Sequence, residues 1–239
     1  MINVFIGYDP SESLAYHVLA HSIIRRASVP VSITPLRLSM LHKVHDRPRE
    51  PLASTEFSMS RFIVPQLLGH AGWGIFMDCD MLCLGDIADL YAMRDKSCAV
   101  QVVKHDYTPK EGRKMLGAQQ TAYEKKNWSS LMMFNASKCK ALTSQYVDTA
   151  TGLDLHQFKW LEDERLIGGL PVQWNWLIGE YGPVEYPKML HYTLGGPWWD
   201  KHQNVPHANL WHMEFESLLH ESKEAQDATQ ELLPARAKG

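Results

Sequence analysis

The 239-residue chain has no excess of positive charge, no dense cysteine framework and no long apolar run. Twenty-four Lys and Arg against 27 Asp and Glu leave a formal charge of −3, so there is no basic field for nucleic acid, and a polyanionic partner is not expected. The four cysteines, Cys79, Cys83, Cys98 and Cys139, lack CxxC spacing and fall far below the density of a secreted disulfide scaffold. Reduced thiols and a cytoplasmic location are the simpler reading. The opening MINVFIGYDP reaches Asp9 without a basic or long apolar region, so no secretory signal is expected. Apolar runs stay well short of the ~20 residues that span a bilayer, which limits any membrane association to a peripheral one. Internal repeats and low-complexity tracts are missing too. What is present is ordinary for a soluble globular domain: 45% hydrophobic and 21% charged residues, enough to bury one core.

Alternation of apolar runs with helical spacing suggests an α/β chain. Ile2 to Tyr8 reads as a buried strand stopped by Asp9 and Pro10, with Ser11 or Ser13 capping a helix over Leu14 to Arg26. Val31 to Leu38 reads as a second strand, His42 to Pro51 as a surface loop, and Thr55 to Leu68 as a helix that Pro65 kinks or ends. Gly74 to Met77 is a short buried strand, Asp86 to Met93 a short helix, and Cys98 to Val103 and Leu131 to Phe134 further strands. Lys104 to Lys126 reads as a long polar excursion, and Ser137 to Thr149 as a helix. Such an order implies a mostly parallel sheet covered on both faces. The last third is dense in Trp, Gly and Pro, a texture that lines sugar or nucleotide pockets but also fills cores. Met213 onward reads as an amphipathic helix and tail, which divides the chain into a domain over 1–212 and a C-terminal extension over 213–239.

The stretch GIFMDCDMLCLGDI places Asp78 and Asp80 directly after the buried strand. Ligands of open α/β sheets bind outside the carboxyl ends of the strands, and residues i and i+2 of an extended chain point the same way. Two carboxylates facing one ligand repel unless a cation lies between them, so a hard divalent ion shared with substrate phosphates is the economical solution. One Asp capping the next turn while the other is solvated is the alternative. A phosphatase with Asp78 as nucleophile would use a similar strand end, but Leu82 stands where its pattern has Thr or Val, and the pair lies deep in the chain. His17 and His21 are one helical turn apart, yet Val18 replaces the Glu of a zinc-protease motif, and both read as ordinary helix residues.

Four stretches, in order, resemble the nucleotide-sugar glycosyltransferases of family 8, which have the GT-A fold. Ser60 to Ile87 is similar to the family's Arg-containing helix, strand, D-x-D and following D-I; NWSSLMMFN, from Asn127, resembles its F-N-x-G strand, with Ser129 or Ser130 at the Gly. LEDERLIGGLPVQWN, from Leu161, is similar to the D-Q-D segment ending L-P-x-x-W-N, and HYTLGGPWW, from His191, to the closing H-x-x-G-x-x-K-P-W. With the first strand end, GYDPSES, as the family's nucleotide loop, the resemblance covers roughly residues 1 to 200. The closing Lys is missing, with Lys201, Lys188 or an arginine to stand in, and D-Q-D has become Glu162-Asp163-Glu164, the pattern of a divergent relative.

The resemblance implies a metal-dependent transferase that moves a hexose-type sugar, with retention, from a nucleoside diphosphate donor, expected to be UDP-linked, to a hydroxyl of a glycan-type acceptor, such as a cell-envelope glycan or glycolipid. It implies Mn²⁺ or Mg²⁺ on Asp78, Asp80 and His191, the imidazole favouring Mn²⁺. Tyr8 and Asp9 would meet the nucleotide base or ribose, Arg61 the donor's oxygens, and the backbone at Gly195 and Gly196 the phosphates, unless those glycines only turn the chain. Asn127, Glu162 and Asp163 would contact the transferred sugar, with Asp163 or Gln173 nearest the anomeric carbon. Loss of the Lys and the amide would also suit a nucleotide-sugar-binding module without turnover.

Overall fold

The computed structural model describes residues 1–49, 53–106, 124–182 and 185–232, with side chains as far as residue 221. Strand β1 (Ile2–Tyr8) is apolar on both faces because it lies inside a sheet, flanked in parallel by β2 (Val31–Arg37) and β3 (Trp73–Met77). Beyond β3 come β6 (Leu131–Asn135), the one antiparallel strand, then β5 (Val100–Val102) and β7 (Ile167–Gly169), in the order β2-β1-β3-β6-β5-β7. Ile75, Phe76, Met133 and Phe134 are fully buried at its centre. Helices cover the sheet, and the result is the mixed α/β, mostly parallel architecture that the alternating pattern implies.

A second, three-stranded sheet of β4 (Met81–Cys83), β9 (Met189–His191) and β8 (Trp176–Leu177) is not visible in the pattern, since strands of two or three residues carry no periodicity. It is held by its own apolar cluster, Val18, Leu82, Ile178, Leu190, Tyr192 and Trp211. Trp211 belongs to α6 (Ala208–Leu232), which opens five residues before the Met213 expected from the pattern and packs on α1 (Ser13–Arg26). A buried ionic cluster fastens the pair: His21 Nδ1 lies 2.7 Å from Glu214 Oε1, and Arg26 Nη2 lies 2.7 Å from Glu214 Oε2.

Several local expectations are corrected. Neither Ser11 nor Ser13 caps α1; the Asp9 carboxylate instead accepts from Ser11 N and starts a 3₁₀ turn over Pro10–Glu12. The segment expected as one helix from Thr55 is a 3₁₀ turn, Ser60–Ile63, leading into α2 (Val64–Leu67), where Pro65 occupies the first turn, the position that needs no N–H donor. The helix expected over Ser137 to Thr149 is a 3₁₀ turn, Ala136–Lys138, and a separate α4 (Ser144–Thr149) capped by Thr143, with the short α5 (Gly152–His156) after it. His45, expected in solvent, is buried against Asp148 at 2.5 Å. The greater part of the Lys104 to Lys126 excursion lies outside the described residues. Among those described, no helix is long and apolar enough to cross a membrane.

Candidate metal centre at the end of β3

Strand β3 ends at Met77, and the chain bends through Asp78, Cys79 and Asp80 before entering β4. The bend carries the backbone from the large sheet to the small one, so the two aspartates lie at the junction of both. In the antiparallel β4–β9 ladder Met81 pairs with His191, and Tyr192 N donates to Asp80 O at 2.9 Å. That register brings His191 Nε2 to 3.3 Å from Asp80 Oδ1 across 111 residues of sequence. One ligand atom each from Asp78, Asp80 and His191 lies within 4.8 Å of the others. Two carboxylates and an imidazole at that separation fit a divalent cation.

Arg61, on the 3₁₀ turn before α2, is not on a solvated face. Buried at 5% exposure, its Nη1 lies 2.9 Å from Asp78 Oδ1 and donates to Ser129 O at 3.0 Å, while its guanidinium lies 5.0 Å from the Phe76 ring centroid. Arg61, Asp78, Asp80 and His191 line one cleft with Glu12, Thr55, Asn127 and Thr193. Asn127 has a left-handed backbone, φ 63°, just before the 3₁₀ turn that leads into β6.

Glu12 stands out among the residues that motif reasoning passes over. It is 2% exposed, and its Oε1 has no hydrogen-bond partner among the described residues. Burial first, then the charges of Asp80, Asp9 and Asp78, push its carboxyl up to about 9 in the metal-free protein, where it is a neutral acid at neutral pH. Cys79, buried between the metal-site aspartates, turns its thiol toward Glu12 Oε2 at 3.7 Å, and the same burial and charges hold it in the thiol form. The available signal for Glu12 was its position in the loop that follows β1, at the same edge of the sheet as Asp78.

The other expected residues divide. Asp9 is buried, with Oδ1 taken by Ser11 and Oδ2 accepting from Glu56 N at 3.1 Å; Tyr8 meets Tyr16 edge-on and the Arg37 guanidinium at 5.5 Å. Gly196 is required sterically: a Cβ there would lie 2.0 Å from the Trp198 ring. Gly195, at φ +115°, faces His202. Asp163 caps its own turn and pairs with Arg165, which holds its carboxyl below the usual range, while Glu162 and Gln173 are exposed. None of these last three lines the cleft. Asp86 caps α3 (Ile87–Ala92) through Ala88 N and also accepts from Ser28 N, so its part in the site region is structural.

The fold is that of known glycosyltransferases. WbbM, a bifunctional glycosyltransferase, superposes with a TM-score of 0.62 at 16% identity, over 90% of this chain and 49% of its own. GlyE of Streptococcus pneumoniae TIGR4 gives 0.60 at 14% identity, over 94% of this chain and 64% of its own, so this chain spans only half to two-thirds of those two proteins. The galactosyltransferase LgtC, solved with donor and acceptor sugar analogues, gives 0.56 at 10% identity over 90% of this chain and 96% of its own. At these identities the likeness establishes the GT-A architecture and nothing finer. No family model matches the chain. In sequence, Protein CDI of Arabidopsis thaliana is 48% identical over 233 residues, covering 94% of this chain and 90% of the plant protein.

The chain belongs to the Protein CDI family. In this chain, the GT-A sheet and the Asp78, Asp80 and His191 cluster are the features that bear on chemistry.

Proposed function

We propose that the protein is a metal-dependent glycosyltransferase that moves a sugar, with retention, from a nucleoside diphosphate donor, a UDP-sugar in the first instance, to a hydroxyl of a glycan-type acceptor. The observation that carries this reading is the convergence of Asp78, Asp80 and His191 at the carboxyl edge of a GT-A sheet. A divalent ion held by these residues would supply neutralisation of the departing diphosphate's charge. Arg61 orients Asp78 through its 2.9 Å contact and presents the remaining edge of its guanidinium to the donor. Asn127, on the cleft wall, orients the transferred sugar. The assignment of Asp163, Glu162 and Gln173 to the sugar, and of Tyr8, Asp9, Gly195 and Gly196 to the nucleotide end, rests on motif order. Because Asp9 is already bonded to Ser11 and Glu56, its contribution in this reading is to shape the loop that meets the ribose or base.

The test is release of UDP from a panel of UDP-sugars in the presence of Mn²⁺. Steady release that vanishes in Asp80→Asn and on chelation supports the transferase. Binding of the donors without turnover across the panel would instead favour a binding module, and phosphate release from simple phosphomonoesters, lost in Asp78→Asn, a phosphatase.

A further inference from the structure

A buried polar chain runs behind the metal centre, from one wall of the cleft to the other. Ser130 Oγ donates to Asn127 O at 2.6 Å, Asn175 Nδ2 donates to Ser130 Oγ at 2.8 Å, and Asn175 Oδ1 lies 2.9 Å from His191 Nδ1. Asn175 is 0% exposed, Ser130 and His191 2% each. The direction of every bond in the chain is determined. A serine hydroxyl has a single proton. At 2.6 Å from a carbonyl that proton must point to Asn127 O, since two oxygens without a hydrogen between them would repel at that distance. Ser130 Oγ is then an acceptor toward Asn175, which turns the amide nitrogen to Ser130 and the amide oxygen to His191. An oxygen accepts only, so Nδ1 of His191 carries the proton.

We infer that Asn175, oriented by Ser130, is a positioning residue that holds His191 as the Nδ1–H tautomer, with the Nε2 lone pair turned to Asp80 and the ion; the inference rests on the metal reading above. Asn175 touches neither a cation nor a substrate in this assignment and acts only through His191. The consequence for the centre is specific. With Nδ1 protonated, the neutral imidazole faces Asp80 Oδ1 with its Nε2 lone pair at 3.3 Å, lone pair against carboxylate, an arrangement that a bound cation would make favourable. The same pair of serines ties in the rest of the site: Asp78 N donates to Ser130 O at 2.9 Å, and Arg61 donates to Ser129 O. The orientation of His191, the backbone of Asp78 and the side chain of Arg61 are therefore set by one dipeptide at the start of β6.

The experiment has two readings on the full chain. In EDTA, at a pH where the imidazole is neutral, ¹⁵N spectra of histidine-labelled protein identify the protonated nitrogen of His191, whose signal is assigned by its loss in His191→Gln. Titration with MnCl₂ in a calorimeter reads affinity. Wild-type protein should show Nδ1–H. Asn175→Leu, which removes the acceptor, should mix the tautomers and weaken Mn²⁺ about 10- to 100-fold. Asn175→Asp, which keeps an acceptor toward Nδ1, should restore the Nδ1–H signal and bring affinity back to within a few-fold. Ser130→Ala, a smaller perturbation should Asn175→Leu fail to fold, should free the amide to turn and lower the Nδ1–H fraction. A wild-type Nε2–H signal, or an unchanged tautomer and Mn²⁺ affinity in Asn175→Leu and Ser130→Ala, would overturn the inference. Wild-type protein that shows Nδ1–H and loses it in these variants, yet binds no Mn²⁺, would support the tautomer assignment and remove the metal reading.

Discussion

Glu12 makes the stability of the metal-free protein depend on pH in an unusual direction. Its carboxyl is buried beside Asp80, Asp9 and Asp78 and titrates near 9 in the folded chain, against an ordinary value of 4.5 once unfolded. Between those two values the folded state keeps the proton and the unfolded state has lost it. Stability therefore falls as pH rises, by about 1.4 kcal/mol per pH unit, until the folded carboxyl itself ionises. Over an interval of 2.5 units centred near neutrality, such as pH 5.5 to 8, that amounts to about 3 kcal/mol. Glu12→Gln preserves shape and neutrality but has no proton to lose. Other groups, including the buried His45 and His105, titrate in both proteins and cancel in the comparison. Equilibrium urea unfolding in EDTA, at steps across that interval, should show Glu12→Gln gaining about 3 kcal/mol on wild type from the acidic to the alkaline end. A difference that stays flat with pH would refute the argument, because it would mean that Glu12 is ionised, solvated or charge-compensated in the folded protein.

Further expectations follow from the same contacts. Arg61→Met leaves Asp78 facing Asp80 and Glu12 without its buried guanidinium; a loss of about 3 kcal/mol in EDTA, partly recovered on adding Mn²⁺, is expected in thermal unfolding, and no loss would show that the pair is immaterial. Gly196→Ala forces a methyl to within 2.0 Å of the Trp198 ring, so a loss of about 1–3 kcal/mol is expected, read as a lowered urea midpoint. Trp211→Ala empties the small core between α6 and the second sheet and should cost about 3–5 kcal/mol, with the near-ultraviolet circular dichroism of the aromatic cluster reduced.

Much of the large sheet is legible in the sequence. Strands β1 and β3 read correctly because both faces are buried and the runs are continuous, and the paired aspartates were found because an ionisable pair interrupting such a run has few structural explanations. The short strands β4, β8 and β9 were not legible. Their two or three residues hold no period, and they exist only because tertiary packing against α1 and α6 pairs them. The roles of charged residues were least legible of all. The resemblance put Arg61 at the donor's oxygens, and only the tertiary structure shows its burial against Asp78, Ser129 O and two phenylalanine rings.

By itself, then, the sequence determined the alternation that builds a mostly parallel sheet, the placement of Asp78 and Asp80 at its ligand edge, and His191 as a partner suggested by motif order. The first two are local properties, hydrophobic periodicity and residues adjacent along the chain, whereas His191 came from the resemblance to a family. Tertiary structure alone decided that β9 pairs with β4 in the register that brings His191 to Asp80, that Glu12 is a buried neutral acid in the same cleft, and that Ser130 and Asn175 orient the imidazole. Each of those depends on burial and on distances between segments far apart in sequence, where the local pattern carries no information about the cost of desolvating a charge or the direction of a hydrogen bond.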